Sequence, residues 1–531
     1  MTYINSNISN HLPKITLDYI NAEESLKSFY YKKNDIENYL DQIKEKNKLY
    51  NHNFREVLKK ELLNQYRNLS NNKKQLDQIK RLSDKNTFTV TTGHQLNLFT
   101  GPLYFFYKII DTIKICNQLK IKYPKYNFIP IYWMASEDHD FKEINFFNSN
   151  NNKFEWITNS SGPVGRLSTK GLELVFEKMK LIFKNSNEKK ILSFFQSSYL
   201  KNKNFSDASL SLIHNLFSNY GLVIIQPDNR NLKSLFKEII KDEVLNKNSF
   251  NLISKTNTKI KNSLNYKFDP QVHSRKINMF YILDGVRERI EYNNKVYNVL
   301  NTEISFSESE IINEINNHTE RFSPNALLRP VYQEYLLPNL SYVGGGSEIA
   351  YWLQLKDYFD YLNIPFPILT LRSSVLLISS KQYNKCKKLN LSIDDLFKDL
   401  NELKLEYLKL NSNILTDFSP QKNSLKKNFK DLYKLAKHTD KSFLGAVKAQ
   451  EIKQLKGLSK LEKRLIRAEK RKYKDSINRI EILKNELFPN NSFQERHINF
   501  SQFFSLEEDN FLKILFKNID PFKQGFKVIK Y

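Results

Sequence analysis

Apolar and polar positions follow three rhythms along this chain. Up to about residue 85 the apolar residues recur at helical spacing with charges between them, as in DIENYLDQIKEKNKLY and REVLKKELLNQYRNL. TFTVTTG (Thr87–Gly93) changes the period: short, β-branched and stopped by glycine, it predicts a buried strand. GPLYFFYKIIDTIKICNQL returns to helical spacing, with Pro102 suited to a first turn, and NFIPIYWMAS is a second buried strand. Strand, loop, helix and strand in close succession predict a parallel pair joined by a right-handed crossover. YGLVIIQPD (Tyr220–Asp228) and FPILTL (Phe366–Leu371) read as further strands of the same sheet. KINMFYIL and RIEYNNKVYNV read as hairpin material, and NSNNNKFEWITNSSGPVGRLS as an asparagine-rich excursion. These stretches are expected to be insertions into a doubly wound sheet.

From Leu391 the period changes again. Ile393, Leu396, Leu400, Leu403, Tyr407, Leu410 and Ile414 make a heptad seam, with Ser392 as its N-cap. A second seam runs through Leu458, Leu461, Leu465 and Ala468, slips near Lys472 and Tyr473, resumes at Ile477 and Ile480, and stops at Pro489. Two such helices predict an antiparallel hairpin whose outer faces could also join two subunits.

Composition narrows the class. The chain has 531 residues, 40% of them hydrophobic and 13% aromatic, enough for a sizeable core and too long for one ordinary domain. No run of about 18 apolar residues suggests a membrane span, and the first residues lack the pattern of a signal peptide. Two cysteines, Cys116 and Cys386, supply neither a disulfide framework nor a cysteine-rich zinc cage, which fits a reducing, cytoplasmic setting; no residues are assigned as metal ligands, and whether a metal takes part is left open. The net charge of +26 would suit nucleic acid, but the lysines are scattered and no nucleic-acid-binding signature accompanies them, so a solvated basic surface is the favoured reading.

Chemistry gathers after the apolar runs. In the first loop Gly93 would permit a tight turn, His94, Gln95 and Asn97 would project donors and acceptors, and Thr100 and Gly101 would offer an N-cap and free N–H groups to a phosphate. In the second, Glu137, Asp138, His139 and Asp140 are consecutive and Glu143 follows; carboxylates beside imidazole can bind an ammonium, orient a base or hold a divalent metal. The blander alternative is a helix start capped by Ser136. The third, LSYVGGGSEIAYW, sets Tyr342 before Gly344, Gly345 and Gly346, which would let a backbone approach a ligand, with Ser347 as N-cap and Glu348 after it.

TTGHQLNLFTGPLYFFYKI, PIYWMASEDHDFKEIN, LPNLSYVGGGSEIAYWLQLK and LFPNNSFQERHINF, spread over most of the chain, together resemble the BshC family, the cysteine ligases assigned to bacillithiol biosynthesis. That resemblance implies an α/β, Rossmann-like core of the nucleotidylyl-transferase type, akin to cysteinyl-tRNA synthetase, with connecting-peptide insertions and a coiled-coil domain used for dimerisation. It implies condensation of L-cysteine with glucosaminyl-malate, with ATP as the cosubstrate. The expected layout is a helical segment over 1–85, a core over 86–378 with insertions at about 150–205 and 245–320, a coiled coil over 379–490, and a segment over 491–531 packing back on the core. His94, Asp138, His139 and Asp140 are the catalytic candidates; Gly93, Gln95, Asn97, Thr100, Gly101, Glu137, Glu143, Tyr342, Gly344, Gly345, Gly346, Glu348 and Arg372 are the binding candidates. The related synthetases carry His-x-Gly-His and Lys-Met-Ser-Lys-Ser loops. Here Gly93-His94-Gln95 stands for the first, and LTLRSS with Arg372 is the nearest to the second. The competing reading is a non-catalytic scaffold with a degenerate core and a basic coiled coil, associated with RNA.

Overall fold

The computed structural model describes residues 2–4, 11–412, 417–507 and 510–531. The chain forms two compact units. One holds the residues up to Leu376 together with Gln494–Ile529, the other Leu377–Phe493 with Lys530–Tyr531.

The first unit is built on five parallel strands: β1 (Thr87–Gln95), β2 (Asn127–Ala135), β3 (Val223–Ile225), β4 (Asn339–Gly344) and β5 (Ile368–Leu371). Their order is β5-β4-β1-β2-β3. Helix α1 (Tyr104–Lys122) crosses from β1 to β2, α2 (Leu328–Leu336) precedes β4, and α3 (Gly346–Leu353) follows it. The chain first builds outward from β1 through β2 to β3, then returns to β1's other side with β4. A ligand crevice is therefore expected beyond the carboxyl ends of β1 and β4, where the order reverses. Threonines are tolerated inside β1 because their hydroxyls are used. Thr89 and Thr91 donate to Asn339 Oδ1 at 3.1 and 2.8 Å, and Thr92 donates to the Val343 carbonyl at 2.8 Å.

The pairing corrects two expectations. β1 runs in register with β2 as far as Gln95 opposite Ala135, so Gly93 and His94 are strand residues and no tight turn forms at Gly93. The stretch read as a glycine loop is, through Gly344, the strand β4, which lies between β5 and β1.

The amino-terminal helical reading is met by helices over Tyr39–Leu49, Phe54–Tyr66 and Lys73–Arg81. The hairpin reading is met by Met279–Leu283 paired antiparallel with Val286–Asn293, the middle of a five-stranded sheet that also takes in Val296–Val299, Ser305–Phe306 and Phe322–Pro324. The last segment closes onto the loop after β1. Asn499 Nδ2 donates to the carbonyls of Phe99 and Gly101 at 2.7 and 2.6 Å, and Leu103 N–H donates to the Ile498 carbonyl at 2.9 Å. Phe99, Thr100 and Gly101 all have positive φ (50°, 69° and 63°). A side chain at Gly101 would meet Asn97 Nδ2 at 2.5 Å.

The second unit is helical, with helices over Leu400–Asn411, Ser419–Ala436, Lys441–Lys472 and Lys474–Leu487. Antiparallel pairing follows from Tyr433 bonding Glu451 and Lys422 bonding Glu462. Lys404 likewise reaches Glu481 and Ser412 reaches Glu469. The first seam differs from its heptad reading. Ser392 closes only the short turn Asp394–Phe397, and Asp399 caps the helix that begins at Leu400. Leu403 and Tyr407 are buried, but Leu408 takes the inner place and Leu410 is 81% exposed, because the helix ends one residue later and its last turn leaves the seam. Ile414 lies outside the described residues. Where the second seam slips, at Tyr473, the helix is interrupted.

Replacing Asn499 by alanine leaves two inward-facing carbonyls without their donor and should cost about 2 kcal/mol of stability. Denaturant unfolding of the full chain measures it; a change within about 0.5 kcal/mol, the range of ordinary surface substitutions, would contradict this account of the loop.

Candidate active site

A cleft of 770 Å³ opens at the carboxyl ends of β1, β2 and β4. Its floor is an ion pair. Lys108, on α1, is buried and its Nζ donates to the Gly93 carbonyl at 2.8 Å while pairing with Glu348 Oε2. Glu348 also accepts the Gly345 N–H at 2.7 Å and the Tyr342 hydroxyl at 2.6 Å. Burial alone would raise its pKa, but Lys108 and these two donors hold it at about 2, so it stays a carboxylate. Arg329, on α2, lies over the Tyr342 ring at 5.3 Å and donates to Gln333 at 2.9 Å. A Cβ on Gly93 would stand 3.2 Å from Arg329 Nη1 and 3.3 Å from the Tyr342 oxygen. Glycine at this position makes room for the guanidinium at the point where the strand order reverses.

His94 is buried and lines the cleft. Its Nδ1 lies 2.9 Å from the Gln95 carbonyl, which can only accept, so Nδ1 carries the proton and Nε2 presents a lone pair. Nε2 has no hydrogen-bond partner among the described residues. Burial, then the charge of Lys108, pushes its pKa down to about 3. The ring is therefore a neutral acceptor at Nε2. Tyr104 stacks on it with ring centres 5.0 Å apart.

The acidic loop after β2 is held by the end of β1. Gln95 Nε2 donates to both Asp138 and Glu143 at 2.9 Å. Asp138 also accepts the His139 N–H at 2.8 Å, and Arg287 Nη1 stands 4.0 Å away. Burial works against the ionised form, yet these hydrogen bonds and the arginine hold Asp138 well below the usual carboxylate range. It stays ionised and is a poor base. Glu137 pairs with buried Lys233, which also holds Asp228 at 3.0 Å. Arg287 Nη1 lies 2.7 Å from His139 Nδ1. The helix-cap alternative is not what forms: the next helix is only Phe141–Ile144, Asp140 precedes it without a side-chain cap bond, and the Ser136 carbonyl accepts Gly165 N–H instead.

Gly93, His94, Gln95, Glu137, Asp138, His139, Tyr342 and Glu348 thus share one cleft. The others do not line it. Asp140 and Glu143 are exposed, Glu143 acting through Gln95. Asn97 and Thr100 face a separate small cavity, and the N–H groups of Thr100, Gly101 and Leu103 are bonded to Asn97, Leu98 and Ile498, so no free phosphate nest exists there. Gly345 acts through Glu348, and a side chain at Gly346 would strike Leu12 and Pro13. Gly344 passes its carbonyl to Arg372 N–H at 2.8 Å. α3 takes Gly345 as its N-cap, displacing the expected Ser347. Arg372 belongs to a different cluster, paired with Glu495 at 2.8 Å. Cys116 is buried in α1, and among the described residues no group of three or more His, Cys, Asp or Glu is arranged to hold a metal.

Sequence reasoning missed the cations of the cleft: Lys108, Arg329, and Arg275, Arg287 and Arg289 from the hairpin insertion. Lys108 carried a usable signal, being the one charge in the apolar run FFYKII.

Residues 1–373 match the family described as "Bacillithiol biosynthesis BshC, N-terminal Rossmann-like domain", and residues 375–531 match "Bacillithiol biosynthesis BshC, C-terminal coiled-coil domain". The chain is 46% identical to a protein of Flavobacterium johnsoniae and 47% identical to one of Christiangramia forsetii, each match covering 98% of both chains. A protein of Flavobacterium psychrophilum is 46% identical over the same shares. All three carry the name "Putative cysteine ligase BshC".

Glu348 has its pKa depressed from 4.5 to about 2, so its contribution to stability is complete above about pH 4.5 and is lost as pH falls towards 2. The stability advantage of the native chain over Glu348→Gln should shrink across that window. Urea unfolding of both proteins at a series of pH values checks it; a constant difference would mean that Glu348 is not held by charge.

Proposed function

The chain belongs to the BshC family of bacillithiol biosynthesis, and from that premise we propose that it is a ligase joining the carboxyl group of L-cysteine to the glucosamine amine of glucosaminyl-malate, with ATP as cosubstrate. The observation that carries the reading is the mixed polarity of the cleft at the strand-order reversal. Two carboxylates held ionised, Asp138 and Glu348, face the same space as Arg329 and the hairpin arginines. Both substrates bear a nitrogen and at least one carboxylate, and ATP adds phosphates, so each needs a partner of either sign.

Amide formation in water requires the carboxyl oxygen to become a leaving group, which ATP supplies, and an amine with its lone pair free. Asp138 binds the amine through its N–H donors, since its carboxyl is too acidic to take the proton. His94 Nε2 adds a second acceptor. Arg329, Arg275 and Arg289 hold carboxylate or phosphate oxygens, while Arg287 is engaged by the protein itself. Thr100 and Gly101 drop out of phosphate binding, their backbone being engaged elsewhere. The scaffold reading is less favoured, since a scaffold has no use for a paired lysine and carboxylate beneath an open cleft. Among the described residues no helix is long and apolar enough to cross a membrane, and a cytoplasmic setting is proposed on the biosynthetic role of the family.

We further propose a homodimer formed through the second unit. Its helices expose Leu410, Leu435 and Leu461 at 81, 64 and 53%, apolar surface that a second copy would cover.

Incubating the purified chain with ATP, cysteine and glucosaminyl-malate should yield bacillithiol by mass spectrometry; no product with any nucleotide would sink the reading. Asp138→Asn should reduce product formation at least about 100-fold while the protein still unfolds cooperatively at a somewhat lower temperature, since a charge-assisted contact made in the transition state is worth about 3 kcal/mol. Gly93→Ala, which displaces Arg329, should raise KM for an anionic substrate about tenfold, the loss of about 1.4 kcal/mol. Light scattering should give twice the chain mass for the native protein and half that value for Leu435→Glu with Leu461→Glu. A native monomer would refute the dimer.

A further inference from the structure

Arg287 lines the cleft, but its donors are already committed. Nε donates to Ser323 Oγ at 3.3 Å, Nη2 to the Pro324 carbonyl at 3.3 Å, and Nη1 faces His139 Nδ1 at 2.7 Å. The guanidinium also lies over the Phe280 ring, 3.9 Å from its centre, and the His139 ring packs on the same phenylalanine at 5.4 Å. This arginine, from the hairpin insertion, is not spare for a substrate.

Its contact with His139 settles a chemical question. A guanidinium can only donate, so an Nδ1 that sits 2.7 Å from it must accept. The alternative, a protonated Nδ1 paired with Asp138 Oδ1, has the longer separation of 3.7 Å and would set two donors against each other. With Nδ1 unprotonated, the ring's proton is on Nε2. We propose that Arg287 is a positioning residue that fixes His139 as an Nε2–H donor towards the cleft, aimed at the negative charge that develops on the acyl or phosphoryl oxygen during ligation. The second half rests on the ligase reading; the first half does not. His94 and His139 then have opposite polarity: His94 offers a lone pair, and His139 offers a proton in a hydrogen bond without giving it up. His139, a catalytic candidate on its sequence position, is assigned as a donor.

The groups facing His139 are Asp138 on its own loop and Arg287 on the hairpin, with Glu137 beside them already paired with Lys233. The test reads the imidazole directly in the full chain, with histidine nitrogens labelled and His139 identified by His139→Gln. Nitrogen–proton correlation spectra should show His139 as the Nε2–H tautomer in the native protein. Arg287→Met, which keeps the apolar stem and removes the donor, should lose that signature. Arg287→Gln, whose amide can still donate to Nδ1, should restore it. In the ligation assay kcat should fall about 10- to 100-fold in the methionine variant, as when the partner of a functional histidine is removed, and recover at least in part with glutamine. A native Nδ1–H tautomer, or one signature common to all three proteins, would overturn the proposal. If the native protein makes no amide at all yet the tautomer follows Arg287 as expected, the ligase reading falls and the positioning role stands.

Discussion

One buried ammonium organises the first unit. Lys108 is taken out of water on α1, and the cost of that burial is offset only because a strand-end carbonyl and a carboxylate converge on it. The carbonyl is Gly93 at the end of β1, and the carboxylate is Glu348 at the start of the helix after β4. The pair therefore joins the two strands between which the chain reverses its order. Tyr342 and the Gly345 N–H complete the carboxylate's shell, so the floor of the cleft is set before any ligand arrives. Such preorganisation is what allows a site to stabilise charge without rearranging for it.

The walls are recruited from distant sequence. Gln95 ties the acidic loop to β1, and Arg287 ties the same loop to a hairpin inserted between β3 and β4. Each tie is a directional hydrogen bond to a group whose protonation it also fixes. The parallel sheet positions main chain, and the insertions choose which polar atoms face the cleft and in which state.

How much of this the sequence disclosed depended on range. β1, β2 and β5 were legible because β-branched apolar runs have few other solutions. β4 was not, since NLSYVG is half polar and three glycines drew attention to a turn; its polar residues are satisfied by partners such as Thr89 and Thr370, far away in the chain. Asp138, His94, Tyr342 and Glu348 were findable, standing in or just beyond the last residues of strands. Thr100 and Gly101 resembled a helix start for a local reason, and a tertiary one overruled it. Lys108, Arg287 and Arg329 were lost in a background of 83 basic residues, where a single cation carries little information. The heptads disclosed the antiparallel pairing of Leu400–Asn411 with Lys474–Leu487, but not the helix Ser419–Ala436 that packs on Lys441–Lys472, nor the exposure of Leu461 on the second seam, nor the turn at which the first seam ends.

The clasp of Asn499 on Phe99 and Gly101 spans 400 and 398 positions. A ribosome adding about 5–20 residues per second needs roughly 20–80 s to cover that distance. During that interval β1, α1 and β2 can pair, while the loop beside His94 waits with two carbonyls hydrated and three residues in left-handed backbone that nothing yet enforces. The whole helical unit is synthesised inside the wait. The nascent chain thus carries a sheet long before it carries a finished cleft, and a chain cut before Gln494 would have every named cleft residue present and the loop that flanks them unlatched.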